Sequence, residues 1–351
     1  MDLPLAPPID PMLAKLVREL PTGELLYEPK WDGFRCLVFR DGDELFLQSR
    51  NGKPLDRYFP EMAAPLRATL PDRTVLDGEL VIPSPEGLDF DALSNRIHPA
   101  DSRVTLLAEQ TPAHYVAFDL LALGDHDLSI EPFRERRTVL EHVLDGVESP
   151  VHLTPATLDG PQAADWFARF EGAGLDGVIA KPLRDRYAPG KRKLFKVKKE
   201  RTADVVVGGF RWHKDGAGVG SLLLGLLDDA GRLVNVGVAS SFRAEQRATL
   251  AEELEPLRLV EAEADHPWLE GQGAASTPRG EHRWSGKRDT SWQPVHPVAV
   301  AEVAYDQLQG DRFRHSARFR RWRPDRDAAS CRFDQLEVPP PAELTDLFAV
   351  R

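Results

Sequence analysis

Cysteine is nearly absent: Cys36 and Cys331 are the only two in 351 residues. Two thiols build neither a disulfide framework nor a structural zinc site, so the fold must rest on its own hydrophobic core. Long apolar runs are also missing. No stretch reaches the ~18 apolar residues of a membrane span, and the N-terminus lacks the charged-then-apolar order of a secretory signal. A cytoplasmic protein with no membrane role is expected. Positive charge is not in excess either: 45 Lys and Arg against 56 Asp and Glu give a net charge of −11. That balance excludes a polycation that coats nucleic acid without discrimination.

What is present is an ordinary globular composition, 42% hydrophobic and 29% charged, in a chain long enough for two domains. The basic residues are concentrated. Residues 191–201 (KRKLFKVKKER) hold seven basic side chains and one acidic, and 312–326 (RFRHSARFRRWRPDR) hold seven arginines, one histidine and one aspartate. Two basic strips in an acidic chain suggest specific phosphate contacts.

The first 25 residues are rich in proline and leucine, with a short helical pattern over 11–20 (PMLAKLVREL) that Pro21 and Gly23 end. Strands are expected at 26–28, 34–40 and 44–48, the last two joined by an Asp41-Gly42-Asp43 hairpin turn. A helix is expected at 59–70 and a strong strand at 74–81. Further strands fall at 116–122 and 178–181, with amphipathic helices near 132–144 and 163–171 between them. This mixture implies an α+β domain. After residue 201 the texture changes to apolar runs at 205–211, 221–227, 232–239 and 299–307 with one helix near 244–257, which suits a small barrel of the OB type. Residues 271–291 read as a surface loop, and the boundary belongs near 199–202.

The chemistry lies in short blocks. Lys30-Trp31-Asp32-Gly33-Phe34-Arg35 places a lysine at a strand end before a sharp turn. Alone it is an ordinary turn. It is followed by Ser49-Arg50-Asn51-Gly52, by Asp77-Gly78-Glu79-Leu80, by Phe118-Asp119, by Asp176-Gly177-Val178-Ile179-Ala180-Lys181, and by Lys196-Val197-Lys198. In this order the blocks resemble the motif set of the covalent nucleotidyltransferases, which comprise ATP-dependent DNA ligases, RNA ligases and mRNA capping enzymes. The KxDGxR block is complete at Lys30, and Arg323-Pro324-Asp325-Arg326 resembles the last motif, in the barrel. Seven ordered matches extend from Tyr27 to about Asp327. The opening PPIDPMLAKLVREL and the ending RFRRWRPDR look most like the bacterial minimal ligases of the ligase C kind.

The resemblance implies an adenylation domain over residues 1–200 and an OB-fold domain over 201–351. Lys30 becomes the nucleophile that attacks the ATP α-phosphorus and carries AMP. Its amine must lose a proton from a group whose ordinary pKa is about 10.4, and Lys196 and Lys198 are the cations that assist and hold the phosphate. Glu28 matches the adenine-reading position and Phe118 the aromatic that stacks on the base. Arg35 and Arg50 match ribose and phosphate contacts, and Lys181 a base or phosphate contact. Glu79 is expected at the ribose and near metal, and Asp176 at a Mg²⁺ or Mn²⁺ ion. Two positions depart from the pattern: Asp176 stands where Glu is usual, and Arg326 where Lys is usual. Arg323 and Arg326 are expected over the departing pyrophosphate, after a hinge closure about 199–202.

The implied substrate is a nick in duplex DNA, with RNA-containing nicks and repair-protein partners left open and a monomer expected. Asp32 falls near the 3′-hydroxyl, and Arg318, Arg320 and Arg321 reach DNA phosphates. Only 26 residues precede Tyr27, so no separate N-terminal DNA-binding domain is expected. Lys53 and Arg96 are then the candidate loop contacts. An RNA ligase or capping enzyme is the alternative within this chemistry; a non-catalytic OB-fold nucleic-acid-binding protein is the alternative outside it. An NAD-dependent ligase is disfavoured because the cysteines of its zinc module are missing.

Overall fold

The computed structural model describes residues 1–85, 87–169, 174–175, 177–198, 200–216, 218–259, 266–269, 291–306 and 308–336. Asp176, Lys199 and the expected loop over 271–291, except Ser291, lie outside the described residues. The chain divides into two compact units, Met1–Lys199 and Glu200–Val338.

The first unit runs β1 (Leu13–Val17), β2 (Leu25–Pro29), β3 (Phe34–Asp41), β4 (Glu44–Ser49), α1 (Ala63–Thr69), β5 (Thr74–Val81), α2 (Phe90–Asn95), α3 (Asp101–Gln110), β6 (His114–Leu123), α4 (Phe133–Val143), β7 (Val151–Leu153), α5 (Gly160–Arg169), β8 (Val178–Pro182) and β9 (Arg192–Val197). Two sheets result. The larger has the order β7-β6-β5-β3-β4, antiparallel except for the parallel β6/β7 pair. The smaller has the order β1-β9-β8-β2.

Strand β3 shows how the layers form. Its apolar residues are continuous, as expected for a strand covered on both faces. Cys36 and Val38 point to a core shared with Leu76, Tyr115 and Leu140, whereas Leu37 and Phe39 pack with Met12, Tyr187 and Leu194. The second cluster joins residues of the two sheets.

Three expectations change. The helix expected at 11–20 is instead strand β1, paired in parallel with β9 from Leu13↔Arg192 to Val17↔Val197. Its apolar spacing fits a helix, but a strand some 180 positions away satisfies its backbone in the extended form. The helix expected at 59–70 begins only at Ala63, after two 3-10 turns. Helices α2 and α3 were not expected, although the Asp89 carboxylate caps α2 by accepting from Ala92 N–H at 2.8 Å.

Arg96 is the third correction. Expected as a loop contact to DNA, it is 0% exposed. Its guanidinium forks onto Glu61 at 2.7 and 2.8 Å, donates to the Tyr58 and Thr111 carbonyls, and lies over the Phe59 ring. Desolvation makes an unpaired buried charge too costly, so a buried arginine needs a counter-charge, and here both Nη atoms have partners while the buried Nε has none. Arg96 is an internal brace.

The second unit comprises β10 (Arg201–Trp212), β11 (Val219–Leu227), β12 (Leu233–Ser240), α6 (Ala244–Leu254), β13 (Val300–Tyr305) and β14 (Arg318–Trp322). The strands form an antiparallel sheet in the order β12-β11-β10-β13-β14. An Ala239–Ala317 bridge ties β12 to the lead-in of β14 and closes the sheet on itself. Phe210, Leu222, Leu224, Val236, Val303 and Trp268 fill the interior. This is the α+β architecture with an OB-type barrel that the chain's texture implies.

Replacing Arg96 by Ala is expected to cost about 3–5 kcal/mol of stability, read as a lowered thermal midpoint, with DNA affinity of the folded fraction unchanged. A stable R96A protein with weakened DNA binding would restore the contact role.

Candidate active site

The site begins where three strand ends meet. Lys30 follows β2 directly, and its backbone N–H donates to the Gly177 carbonyl at 2.8 Å. Gly177 has φ of +130°, and a Cβ there would lie 1.9 Å from the Val197 carbonyl oxygen. Only glycine permits this approach of β8 to the end of β9. Gly33 is constrained in the same way, since a Cβ would lie 2.1 Å from the Leu80 carbonyl. The glycines of the KWDGFR and DGVIAK blocks therefore set the close backbone contacts on either side of Lys30.

Lys30 opens into a cleft of about 170 Å³ that also receives Glu28, Arg35, Arg50, Glu79, Phe118, Lys181 and Lys196. Eight of the expected site residues thus converge on one space. Cations dominate it: Lys30, Arg35, Arg50, Lys181, Arg192 and Lys196, against the carboxyls of Glu28 and Glu79. Such an excess suits a polyphosphate.

At the cleft's inner end, Glu28 and Lys181 are both buried and paired at 2.7 Å, with Arg137 at 3.4 Å from the other carboxylate oxygen. Burial raises the Glu28 carboxyl and lowers the Lys181 ammonium, and their mutual attraction opposes both shifts. Lys181 also donates to the Phe118 carbonyl at 2.7 Å, and its Nζ sits 4.7 Å from the Phe118 ring centroid. The Arg35 guanidinium lies 4.5 Å from that centroid and forks onto Asp77.

Glu79 is the perturbed carboxyl. Burial pushes it up to about 7; the Arg35 and Lys30 charges pull it down, and those of Asp32 and Asp77 add to the rise. Its Oε1 accepts from Gly33 N–H at 3.2 Å.

Other expected residues stand outside the cleft lining. Lys198 follows the end of β9, its backbone beside Gly177. Asp32 is half-buried, and Lys53 is exposed in the turn after β4, where its N–H donates to Ser49 Oγ. In the barrel, Arg318 and Arg320 pair with Glu200, and Arg321 with Glu302 at 2.8 Å. Arg323 is held by Asp204 and Asp325 at 2.9 and 2.8 Å, and Arg326 by Asp204 at 3.3 Å.

Sequence reasoning missed three supports. Asp77, fully buried, holds Arg35. Arg137 touches Glu28 and donates to the Thr154 carbonyl, while Thr154 Oγ1 accepts from Trp31 Nε1 at 2.8 Å. Arg137 recurs in phase with buried Phe133 and Leu140 on α4, an available signal that a charged residue faces inward. The third support is the segment Pro11–Ala14, which forms part of the cleft wall.

Residues 4–198 match the ATP dependent DNA ligase domain, and residues 215–326 match the ATP dependent DNA ligase C terminal region. The chain belongs to the ATP-dependent DNA ligases. DNA ligase C2 of Mycolicibacterium smegmatis is 55% identical over 97% of this chain and 97% of its own length. DNA ligase C of Mycobacterium tuberculosis is 52% identical over 99% of both. Among solved structures, a Lig E DNA ligase shares the fold at a TM-score of 0.56, with 18% identity, 89% of this chain and 99% of that one covered. The ligase is thus an ATP-dependent enzyme that uses a lysine–AMP intermediate and a divalent metal.

Glu79 gives a pH test on the nucleotide-free ligase. Its folded pKa lies above its ordinary value of 4.5, so its contribution to stability is fully present below that value and is lost as pH rises through about 7. Glu79→Gln is therefore expected to gain on the wild type in thermal midpoint between pH 5 and pH 8. A gap that stays constant or narrows would contradict the assignment.

Proposed function

We propose that this ligase seals nicked duplex DNA with Lys30 as its nucleophile. The convergence of Lys30, Glu28, Arg35, Glu79, Phe118, Lys181 and Lys196 on one cleft carries the reading. Lys30 Nζ attacks the ATP α-phosphorus, a P–N bond forms and pyrophosphate leaves. A 5′-phosphate oxygen at the nick then attacks the same phosphorus, freeing Lys30 and capping the DNA end with AMP. Finally the 3′-hydroxyl attacks the DNA 5′-phosphorus, AMP leaves and the strand is continuous.

Each residue has a task that follows from its position. Lys196 faces the phosphates from β9 and lowers the cost of placing negative charge there. Glu28, fixed by Lys181 and Arg137, accepts from the exocyclic amine of adenine, and Phe118 supplies an apolar face for the base. Arg35 and Arg50 hold ribose and phosphate oxygens.

A divalent cation fits beside Glu79. Its carboxyl is half-buried, lines the cleft beside Lys30 and is pushed up to about 7 chiefly by desolvation, and Mg²⁺ needs only one or two protein carboxylates when phosphates and water complete its shell. Such an ion neutralises developing phosphate charge. Asp176 is the second candidate ligand. Arg323 and Arg326 act on pyrophosphate, and Asp32, Lys53 and the β14 arginines on the nick and its flanks.

Labelled ATP is expected to mark the wild type covalently, GTP far less, and Lys30→Ala not at all. Lys196→Ala should slow adduct formation by roughly 10²–10³-fold, the effect of removing one transition-state donor. A normal adduct in K30A would end this reading. Nicked duplexes with each strand independently DNA or RNA then define the substrate, and self-adenylation without any sealing would overturn the nick assignment.

A further inference from the structure

Tyr187 belongs to none of the recognised blocks. It lies between β8 and β9 and is buried. Its hydroxyl donates to Asp77 Oδ2 at 2.6 Å and accepts from the Met12 backbone N–H at 2.9 Å. Asp77, 0% exposed, receives the Arg35 fork on its two oxygens. The result is a continuous hydrogen-bonded chain, Met12 N–H to Tyr187 to Asp77 to Arg35, that ends on a guanidinium over the Phe118 ring.

The neighbourhood reinforces the link. Ala188 N–H approaches Met12 Sδ at 3.3 Å, Gly190 N–H donates to the Pro11 carbonyl at 3.3 Å, and Leu13 N–H to the Lys191 carbonyl at 2.8 Å. Tyr187 N–H is itself anchored on the Ser129 carbonyl at 2.9 Å. Met12, Leu13, Ala14 and Arg35 all line the cleft, and Arg35 Nη2 also donates directly, at the long distance of 3.4 Å, to the Met12 carbonyl.

We propose that Tyr187 is a positioning residue of the nucleotide site, whose hydroxyl joins the N-terminal wall of the cleft at Met12 to Arg35 through Asp77. It touches no substrate. It acts by fixing Arg35, because a carboxylate held on both sides presents its fork in one orientation, whereas one that loses the phenol can rotate and take the guanidinium with it. The proposal rests on the reading of Arg35 and Phe118 as nucleotide contacts.

The test uses the full chain as wild type, Tyr187→Phe, Arg35→Met and the double variant. Initial rates of AMP-adduct formation are measured across ATP concentrations, at a temperature where melts show all four folded. In Y187F the ATP concentration for half-maximal rate is expected to rise roughly tenfold, the loss of one charge-assisted hydrogen bond. The saturated rate should stay within about threefold of wild type. In the R35M background the same change should add almost nothing. The Met12 amide should also exchange with deuterium faster in Y187F. An unchanged ATP dependence in Y187F, an equal further loss in the R35M background, or unaltered exchange at Met12 would each overturn the proposal. If the wild type forms no adduct, the ligase reading fails instead, and exchange at Met12 still decides whether the clamp exists.

Discussion

One backbone hydrogen bond, from Lys30 N–H to the Gly177 carbonyl, fixes the main chain at the proposed nucleophile. It joins the end of β2 to the start of β8 at a point where β9 passes within a distance only glycine tolerates. A lysine side chain is long and carries much rotamer entropy, so its usefulness as a nucleophile depends on how firmly its backbone is placed. Here the backbone is fixed on both sides, by Gly177 before the turn and by Gly33 after it. The side chain is left to reach into the cleft.

The charges around it are arranged in depth. The innermost carboxylates, Glu28 and Asp77, are each tied to cations and so stay in defined positions. Glu79, nearer Lys30, has no such fork and is the carboxyl whose proton affinity is displaced upward by burial. The fold thus spends its strong ion pairs on orientation and leaves one acidic group adjustable beside the nucleophile.

How much of this was legible in the sequence depends on the range of the interaction. The residues proposed to handle ATP are restricted in type by their chemistry and appear in compact blocks, so the convergence of Lys30, Glu28, Glu79, Phe118, Lys181 and Lys196 on one cleft could be anticipated from the sequence. Strand β1 could not. Its pattern satisfies a helix, and the partner that makes it extended is β9. Tyr187 was equally silent, because its role exists only through Met12 and Asp77, 175 and 110 residues away. Arg96 misled for the same reason: a basic residue in an apparent loop suggests surface, and nothing local announces that Glu61 will meet it. Local chemistry was visible; the scaffolding that holds it was not.

The barrel's arginines carry a consequence for how this ligase responds to ionic strength. Arg318, Arg320, Arg321, Arg323 and Arg326 each already face a carboxylate of their own unit, Glu200, Glu302, Asp204 or Asp325. A phosphate that reaches such an arginine exchanges partners with an anion that remains nearby, so the net neutralisation per contact is less than one full charge. The release of condensed ions from DNA, which normally makes binding steeply salt-dependent, is diluted accordingly. The later part of a strip that looks strongly basic in sequence is, in the folded barrel, a row of ion pairs.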